Sequence, residues 1–354
     1  MSNQALVSDS ETPHYPFEFR GQAGEYFRIW VVNIALTILT LGIYSAWAKV
    51  RTQRYFYGST YLDGSSFEYL ASPLMILKGR LIAVALFAVY WFITNFFPFL
   101  GIFVFFAFLL LIPWIVARSL AFRARNSAWR NVCFGFSGNY WDVAKAFILW
   151  PILVPFTLGF IWPYVHFKQK QLMVSRSAFG DTDFGFTAQA KQFYQIYAIA
   201  LVIFMILPLV IGLMSGILAS LSEASQGQAA NGWLMALPVV MALISAAVYY
   251  LVYVFVNTRL MNLIYNHSSL AAAQLESRLS VASLMWIYAT NVLAIAVSVG
   301  LLLPWARIRL ARYRAAHTGV YADAGLDRYH SASGQGVSAL GEEAGEIFDV
   351  DVSL

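Results

Sequence analysis

Three stretches of this chain contain no Asp, Glu, Lys or Arg at all: Leu81–Ala117, Gln192–Ser222 and Ala224–Thr258. Roughly 20 apolar residues, each rising 1.5 Å along a helix, cross a hydrocarbon core of about 30 Å. Each gap is therefore long enough for one or two membrane crossings. Charged residues make up 12% of the 354 positions, against about 25% in soluble domains. In lipid every backbone N–H and C=O must find a partner within the protein, which leaves helices or closed barrels. A membrane-spanning barrel would show alternating segments of roughly ten residues, and none are visible. The expectation is an all-α, polytopic helical membrane protein with seven apolar helical segments: Ile29–Ala48, Leu81–Phe97, Pro98–Ala117, Ala146–Val165, Phe193–Leu221, Trp233–Asn257 and Leu279–Ala306.

The chain repeats itself. Phe17, Phe19, Gly21, the Thr40-Leu41-Gly42 run and Arg51 recur as Phe134, Phe136, Gly138, Thr157-Leu158-Gly159 and Lys168. A third copy keeps another subset. Asn33, Gly42, the Trp47-Ala48-Lys49 run, Arg51, Arg54-Tyr55 and Thr60 match Asn291, Gly300, Trp305-Ala306-Arg307, Arg309, Arg312-Tyr313 and Thr318. Chance apolar matches do not keep Gly, Trp, Arg and Tyr in one register. The recurring module is a polar entry, an apolar helix, Gly, an aromatic five positions later and a basic stretch. A pair of apolar helices lies between successive copies. The predicted organisation is a flexible N-terminal tail over 1–16, membrane repeats over 17–133 and 134–278, a partial repeat over 279–314, and an acidic disordered tail over 315–354. The Phe-x-aromatic pairs (Phe17/Phe19, Phe67/Tyr69, Phe134/Phe136, Phe184/Phe186) put two rings on one side of an extended segment, as short strands or aromatic plugs.

The line FEFRGQAGEYFRIWVVNIALTILTLGIYSAWAKVRTQRYFYGST, with TLGIYSAW followed by K-x-R-x-x-R-Y, resembles the YjgN-like family of bacterial inner-membrane proteins (domain of unknown function 898). The similarity runs from about Phe17 to Arg314; the second copy departs from it, with Pro151, Pro155, Pro163 and Tyr164 in place of the Trp. The resemblance implies a multi-pass inner-membrane protein and no particular activity.

Two topologies fit. If all seven segments cross, eight of the 23 Lys and Arg face outward, against the tendency of basic loops to stay in the cytoplasm. If only the two helix pairs cross and the three module helices dip in and return, all 23 face the cytoplasm, the C-terminal tail included. Gly42, Gly159 and Gly300 are the candidate helix breaks for that arrangement.

Little here reads as chemistry. No zincin, nucleophile-elbow or P-loop motif is present. The five histidines never pair at ligand spacing, and no acidic residue lies inside an apolar segment. No catalytic, cofactor or metal site is expected, and the single Cys133 excludes an intramolecular disulfide. The best constellation is Trp47, Lys49, Arg51, Arg54 and Tyr55 with its echo at Trp305, Arg307, Arg309, Arg312 and Tyr313. A Trp ring suits the headgroup level, and Arg offers a planar fork for phosphate. That pattern reads either as an anionic lipid headgroup site or as a generic interfacial anchor. The net charge of +5 sits at the ends of apolar segments, which favours lipid over nucleic acid. Two function classes remain level: a transporter-like protein, and a non-catalytic membrane protein binding anionic lipid or a partner through its basic face.

Overall fold

Ten short strands close into one antiparallel barrel, each hydrogen-bonded to its chain neighbour, with β1 pairing β10 across the two ends of the chain. A computed structural model provides this architecture and describes residues 13–224 and 229–322. The strands are β1 His14–Phe19, β2 Thr60–Leu62, β3 Ser65–Tyr69, β4 Ser127–Trp129, β5 Val132–Phe136, β6 Ser177–Phe179, β7 Thr182–Phe186, β8 Ser268–Leu270, β9 Ala273–Ser277 and β10 Thr318–Tyr321. The longest has six residues, about 20 Å at roughly 3.3 Å per residue. A membrane-crossing strand needs about 9–11 residues, so this barrel does not span a bilayer.

The expectation of an all-α chain is thereby overturned. The strands escape a reading by apolar length because they are brief and lie in the polar stretches between helices. Their turn chemistry was nonetheless present. Asp63-Gly64 links β2 to β3 with φ of 49° and 72°, and Arg130-Asn131 links β4 to β5 with 49° and 63°. Positive φ at both central residues matches the right-handed twist of a two-residue hairpin, and Asp-Gly is a strong signal for it. The Phe-x-aromatic pairs fall on β1, β3, β5 and β7. Parts of both stretches read as tails belong to the barrel: β1 begins at His14, and β10 is Thr318–Tyr321. Most of the acidic tail lies outside the described residues.

Helical hairpins fill the intervals between strand pairs. α1 (Ala23–Leu39) and α2 (Ser45–Ser59) join β1 to β2; α3 (Pro73–Phe96) and α4 (Pro98–Arg125) join β3 to β4. Between β5 and β6 run α5 (Tyr140–Ala144), one π-helical turn (Lys145–Leu149), α6 (Trp150–Phe156) and α7 (Trp162–Ser175). Pro151 removes an N–H there and its ring would meet the Phe147 carbonyl, a strain that a π turn absorbs. α8 (Ala190–Ala224) and α9 (Ala229–Asn266) join β7 to β8, and α10 (Val281–Val297) and α11 (Leu303–Ala316) join β9 to β10.

Five junctions have the same geometry. Each second helix ends in a hydroxyl residue that opens the next strand and donates to the carbonyl four positions back: Thr60 to Phe56 (2.9 Å), Ser127 to Arg123 (3.0 Å), Ser177 to Met173 (2.6 Å), Ser268 to Ile264 (2.7 Å) and Thr318 to Arg314 (3.0 Å). A backbone bond of 2.8–2.9 Å closes each junction, from Arg20 to Ser59, Leu70 to Asn126, Ser137 to Arg176, Thr187 to His267 and Arg278 to His317. Helix carbonyls and strand ends are thus satisfied where the chain changes from one ladder to the other.

Seven crossing helices are not what forms. Three helices among the described residues are long and apolar enough to cross a membrane: Pro73–Phe96, Pro98–Arg125 and Val239–Asn266 within α9. The segments Ile29–Ala48, Ala146–Val165 and Leu279–Ala306 each contain a reversal. At Leu41-Gly42 φ is 50° and 93°, at Leu158-Gly159 50° and 85°, and at Val299-Gly300 51° and 89°. The glycine N–H bonds the carbonyl five residues back, Thr37, Val154 and Ile295 respectively, at 2.8–2.9 Å, which closes a Schellman cap. The hydroxyl of Thr40 donates to the Leu36 carbonyl (2.7 Å) and accepts from the N–H of Tyr44 (2.9 Å), so one side chain ends α1 and caps α2. Ser298 does the latter for Leu302 at 3.0 Å. These turns leave few backbone groups unsatisfied and can sit in hydrocarbon. The tips are correspondingly bare and apolar: Leu41 is 95%, Leu158 87% and Val299 92% exposed.

Candidate functional site

The basic–aromatic clusters on α2 and α11 spend most of their donors on the protein itself. The Tyr55 hydroxyl accepts the N–H of Gln22 (2.8 Å) and lies 2.9 Å from the Gln22 carbonyl and 3.2 Å from a Glu25 carboxylate oxygen. Burial pushes its phenol up from the ordinary value, so it stays a neutral donor. Tyr313 repeats this role by accepting the N–H of Ser280 at 3.0 Å. Arg54 donates to the carbonyls of Tyr69 (3.3 Å) and Ala71 (3.2 Å), and Arg312 to the carbonyl of Gly21 (3.1 Å). Each guanidinium thereby ties its own helix to backbone at or just past the end of a barrel strand, β3 for Arg54 and β1 for Arg312. Arg309 donates to Thr290 Oγ1 (2.6 Å) and Asn291 Oδ1 (3.2 Å) and lies over the Trp305 ring. Trp47 stacks on Tyr44 and packs on the buried Ala46, Val50 and Ile76. Arg51 is exposed. Apart from Lys49 and Arg307, the residues of the two clusters are not brought together at one anion site. Lys49 and Arg307 line a groove between α1, α2 and α11, and Gly42, Gly159 and Gly300 sit at the hairpin reversals.

A site that the sequence reading did not single out lies on the barrel axis. A cavity of about 670 Å³ extends from inside the barrel to the ends of the surrounding helices. Its strand wall is aromatic and aliphatic. Phe17, Phe67, Trp129, Phe179, Phe134 and Phe184 form a chain of rings whose centroids are 4.9–6.4 Å apart, and Leu62, Leu270 and Val320 fill between them. Its helix wall carries Lys49, Gln53, Tyr57, Arg123, Tyr265 and Arg314. The junction register explains the wall. Arg123 and Arg314 stand four positions before Ser127 and Thr318, so two equivalent helices each place one arginine in the cavity lining. One Arg314 terminal nitrogen donates to the Tyr288 hydroxyl at 3.1 Å, while its Nε is buried without a hydrogen-bond partner. Thr60, Ser127, Ser177 and Thr318 also line the cavity, their hydroxyl protons committed to helix carbonyls.

Among the described residues no acidic side chain lines this cavity. Three cations beside an apolar aromatic wall suit a ligand that is anionic at one end and apolar at the other. Among the described residues no group of His, Cys, Asp and Glu is arranged to hold a metal ion. The signal that could have revealed the site is the spacing of arginine four residues before the Ser or Thr that begins a strand. It becomes readable only once the strands are recognised.

A family model described as a bacterial protein of unknown function (DUF898) matches residues 14–347. Curated relatives include the "Inner membrane protein YjgN" of Escherichia coli K12, 30% identical over 166 residues, 44% of this chain and 40% of the relative. The protein of that name from Salmonella typhimurium is 30% identical over 138 residues, 37% of this chain and 33% of the relative. The aligned part thus spans less than half the length of these relatives. No solved structure matches.

Proposed function

This chain belongs to the bacterial DUF898 family, and from that premise we propose that it is a multi-pass inner-membrane protein, its barrel in the cytoplasm, that holds an anionic amphiphile in its axial cavity without transforming it. The relatives' names support the membrane. α3 and α4, with 24 and 28 residues, measure about 36 and 42 Å at 1.5 Å per residue and exceed the hydrocarbon core; α8 and α9 form the second crossing pair. The three broken hairpins enter one leaflet and return. No described Lys or Arg lies more than eleven positions from a barrel strand, with Lys49, Arg80 and Arg307 the farthest. A cytoplasmic barrel therefore satisfies the positive-inside rule for all of them.

The observation that carries the reading is the axial cavity, with Lys49, Arg123 and Arg314 facing an aromatic wall. Guanidinium groups recognise phosphate and carboxylate by charge-assisted hydrogen bonds, and the rings supply apolar contact. The reading is tested by purifying the protein in mild detergent and analysing bound lipid by mass spectrometry. Wild type retains an anionic amphiphile at close to one per chain, and Arg123→Gln/Arg314→Gln loses most of it. Equal retention by both proteins refutes the reading. The axial position of the cavity also favours a transport reading, in which the aromatic floor must part. Flux of an anionic solute into proteoliposomes, abolished by the same double variant, would support that reading instead.

A further inference from the structure

A second site lies at the seam where the ring of hairpins closes. A groove of about 430 Å³ runs between α1, α2 and α11. Trp30, Ile34 and Ile38 form its apolar side, and Ile38 near the hairpin tip is 69% exposed. Lys49, Thr52 and Gln53 from α2 and Arg307 from α11 form its polar side. Arg307 is held there by a 3.1 Å hydrogen bond to the Tyr26 hydroxyl.

Asn33 shows that the groove is incomplete. It is only 5% exposed, lines the groove, and its Oδ1 has no hydrogen-bond partner. Its Nδ2 donates to the Ala48 carbonyl at 3.3 Å, which fixes the amide and points the oxygen elsewhere. The equivalent Asn291 makes the matching bond to Ala306 (3.2 Å), but its Oδ1 accepts from Arg309 at 3.2 Å. The first hairpin keeps the amide and leaves its oxygen unmatched. A buried acceptor without a donor is destabilising, a cost that a ligand N–H or O–H would remove.

We propose that this seam groove binds a glycerophospholipid whose headgroup carries an N–H or O–H donor. Arg307 and Lys49 take the phosphate, Asn33 Oδ1 accepts from the headgroup, and the acyl chains follow Ile34 and Ile38 toward the tip. Lys49 and Gln53 also border the axial cavity, so the groove and the cavity are neighbours. The site needs the hairpins to be in lipid, as proposed above, but does not need the axial cavity to be occupied.

The test is thermal unfolding of the full-length chain in mixed micelles of phosphatidylglycerol, phosphatidylethanolamine or phosphatidylcholine at equal lipid fraction. Phosphatidylcholine has a phosphate but no N–H or O–H donor. Wild type is expected to unfold several degrees higher with the first two lipids than with phosphatidylcholine. Glycerol 3-phosphate in phosphatidylcholine micelles should not reproduce the shift, and a shift there would replace the lipid by a soluble phosphate and overturn the proposal. Arg307→Gln should remove the preference, whereas Arg51→Gln, an exposed charge on α2 outside the groove, should keep it. Asn33→Leu should remove the preference of phosphatidylethanolamine over phosphatidylcholine; if that variant does not fold, Arg307→Gln decides. A preference that survives Arg307→Gln, or falls equally in Arg51→Gln, overturns the site. Arg123→Gln/Arg314→Gln separates the two readings, because it should lose the axial amphiphile and keep the groove's lipid preference.

Discussion

The two ends of the helical hairpins obey different rules. At the barrel end the same junction is built five times, with a Ser or Thr hydroxyl on the helix carbonyl and a backbone bond of 2.8–2.9 Å across to the next strand. At the far end two solutions coexist. Three hairpins turn back at a glycine-containing cap with apolar, exposed tips, and the others continue into helices of up to 38 residues. A closed barrel admits one register, so every junction must meet the same geometry. Lipid imposes no register; it requires apolar side chains and satisfied backbone groups, which short and long hairpins supply equally well.

The largest effect is expected in the barrel. Trp129 is 4% exposed, packs on Phe67 and Phe179, and donates its ring N–H to the Ser65 carbonyl at 3.3 Å. Trp129→Ala is expected to cost about 3–5 kcal/mol and to lower the unfolding midpoint of the whole chain, since opening one strand pair opens the ring. A shift confined to β4 and β5 by hydrogen exchange would show that the barrel is not one cooperative unit.

Substitution at the tips should be milder. Gly42 and Gly300 have φ of 93° and 89° with open space where a Cβ would stand, so Gly42→Ala and Gly300→Ala meet backbone strain without a clash. Each is expected to cost about 1–2 kcal/mol, equally at the two sites, as read from thermal unfolding in one detergent. A much larger cost at either site would mean that the tip packs against something other than lipid.

The smallest effect sharpens the equivalence of the junctions. Ser177→Ala and Ser268→Ala each remove one side-chain hydrogen bond to a helix carbonyl (2.6 and 2.7 Å), worth about 1 kcal/mol. Equal losses at both support one repeated junction. A loss at only one would restrict the rule to part of the ring.

Much of the first hairpin was legible in residues alone. Gly42, Gly159 and Gly300 stood out as candidate breaks under one of the two topologies, and glycine is the residue a positive φ selects; the double use of the Thr40 hydroxyl was not readable there. The barrel was not legible, because strands of three to six residues carry too little pattern to compete with apolar stretches of twenty. The Trp/Arg clusters stood out because they recur, yet recurrence there reflects the shared task of tying each helix to the end of a barrel strand: Arg54 and Arg312 donate to backbone carbonyls just past β3 and β1. Arg123 and Arg314 gave no such signal, since their relation depends on strand positions 191 residues apart (127 and 318).

Of the seven expected segments only the one at Pro98 begins where a helix begins; what the residues alone did show was the bilayer setting and the glycines offered as fold-back points. Those properties depend on local composition and on backbone conformations that few residue types accept. That β1 meets β10, and that three cations from distant segments line one aromatic-walled cavity, follows instead from closure of the ring. Ring closure is a non-local constraint: it is satisfied by pairing residues more than three hundred positions apart, His14 with Tyr321, and no window of the chain contains both.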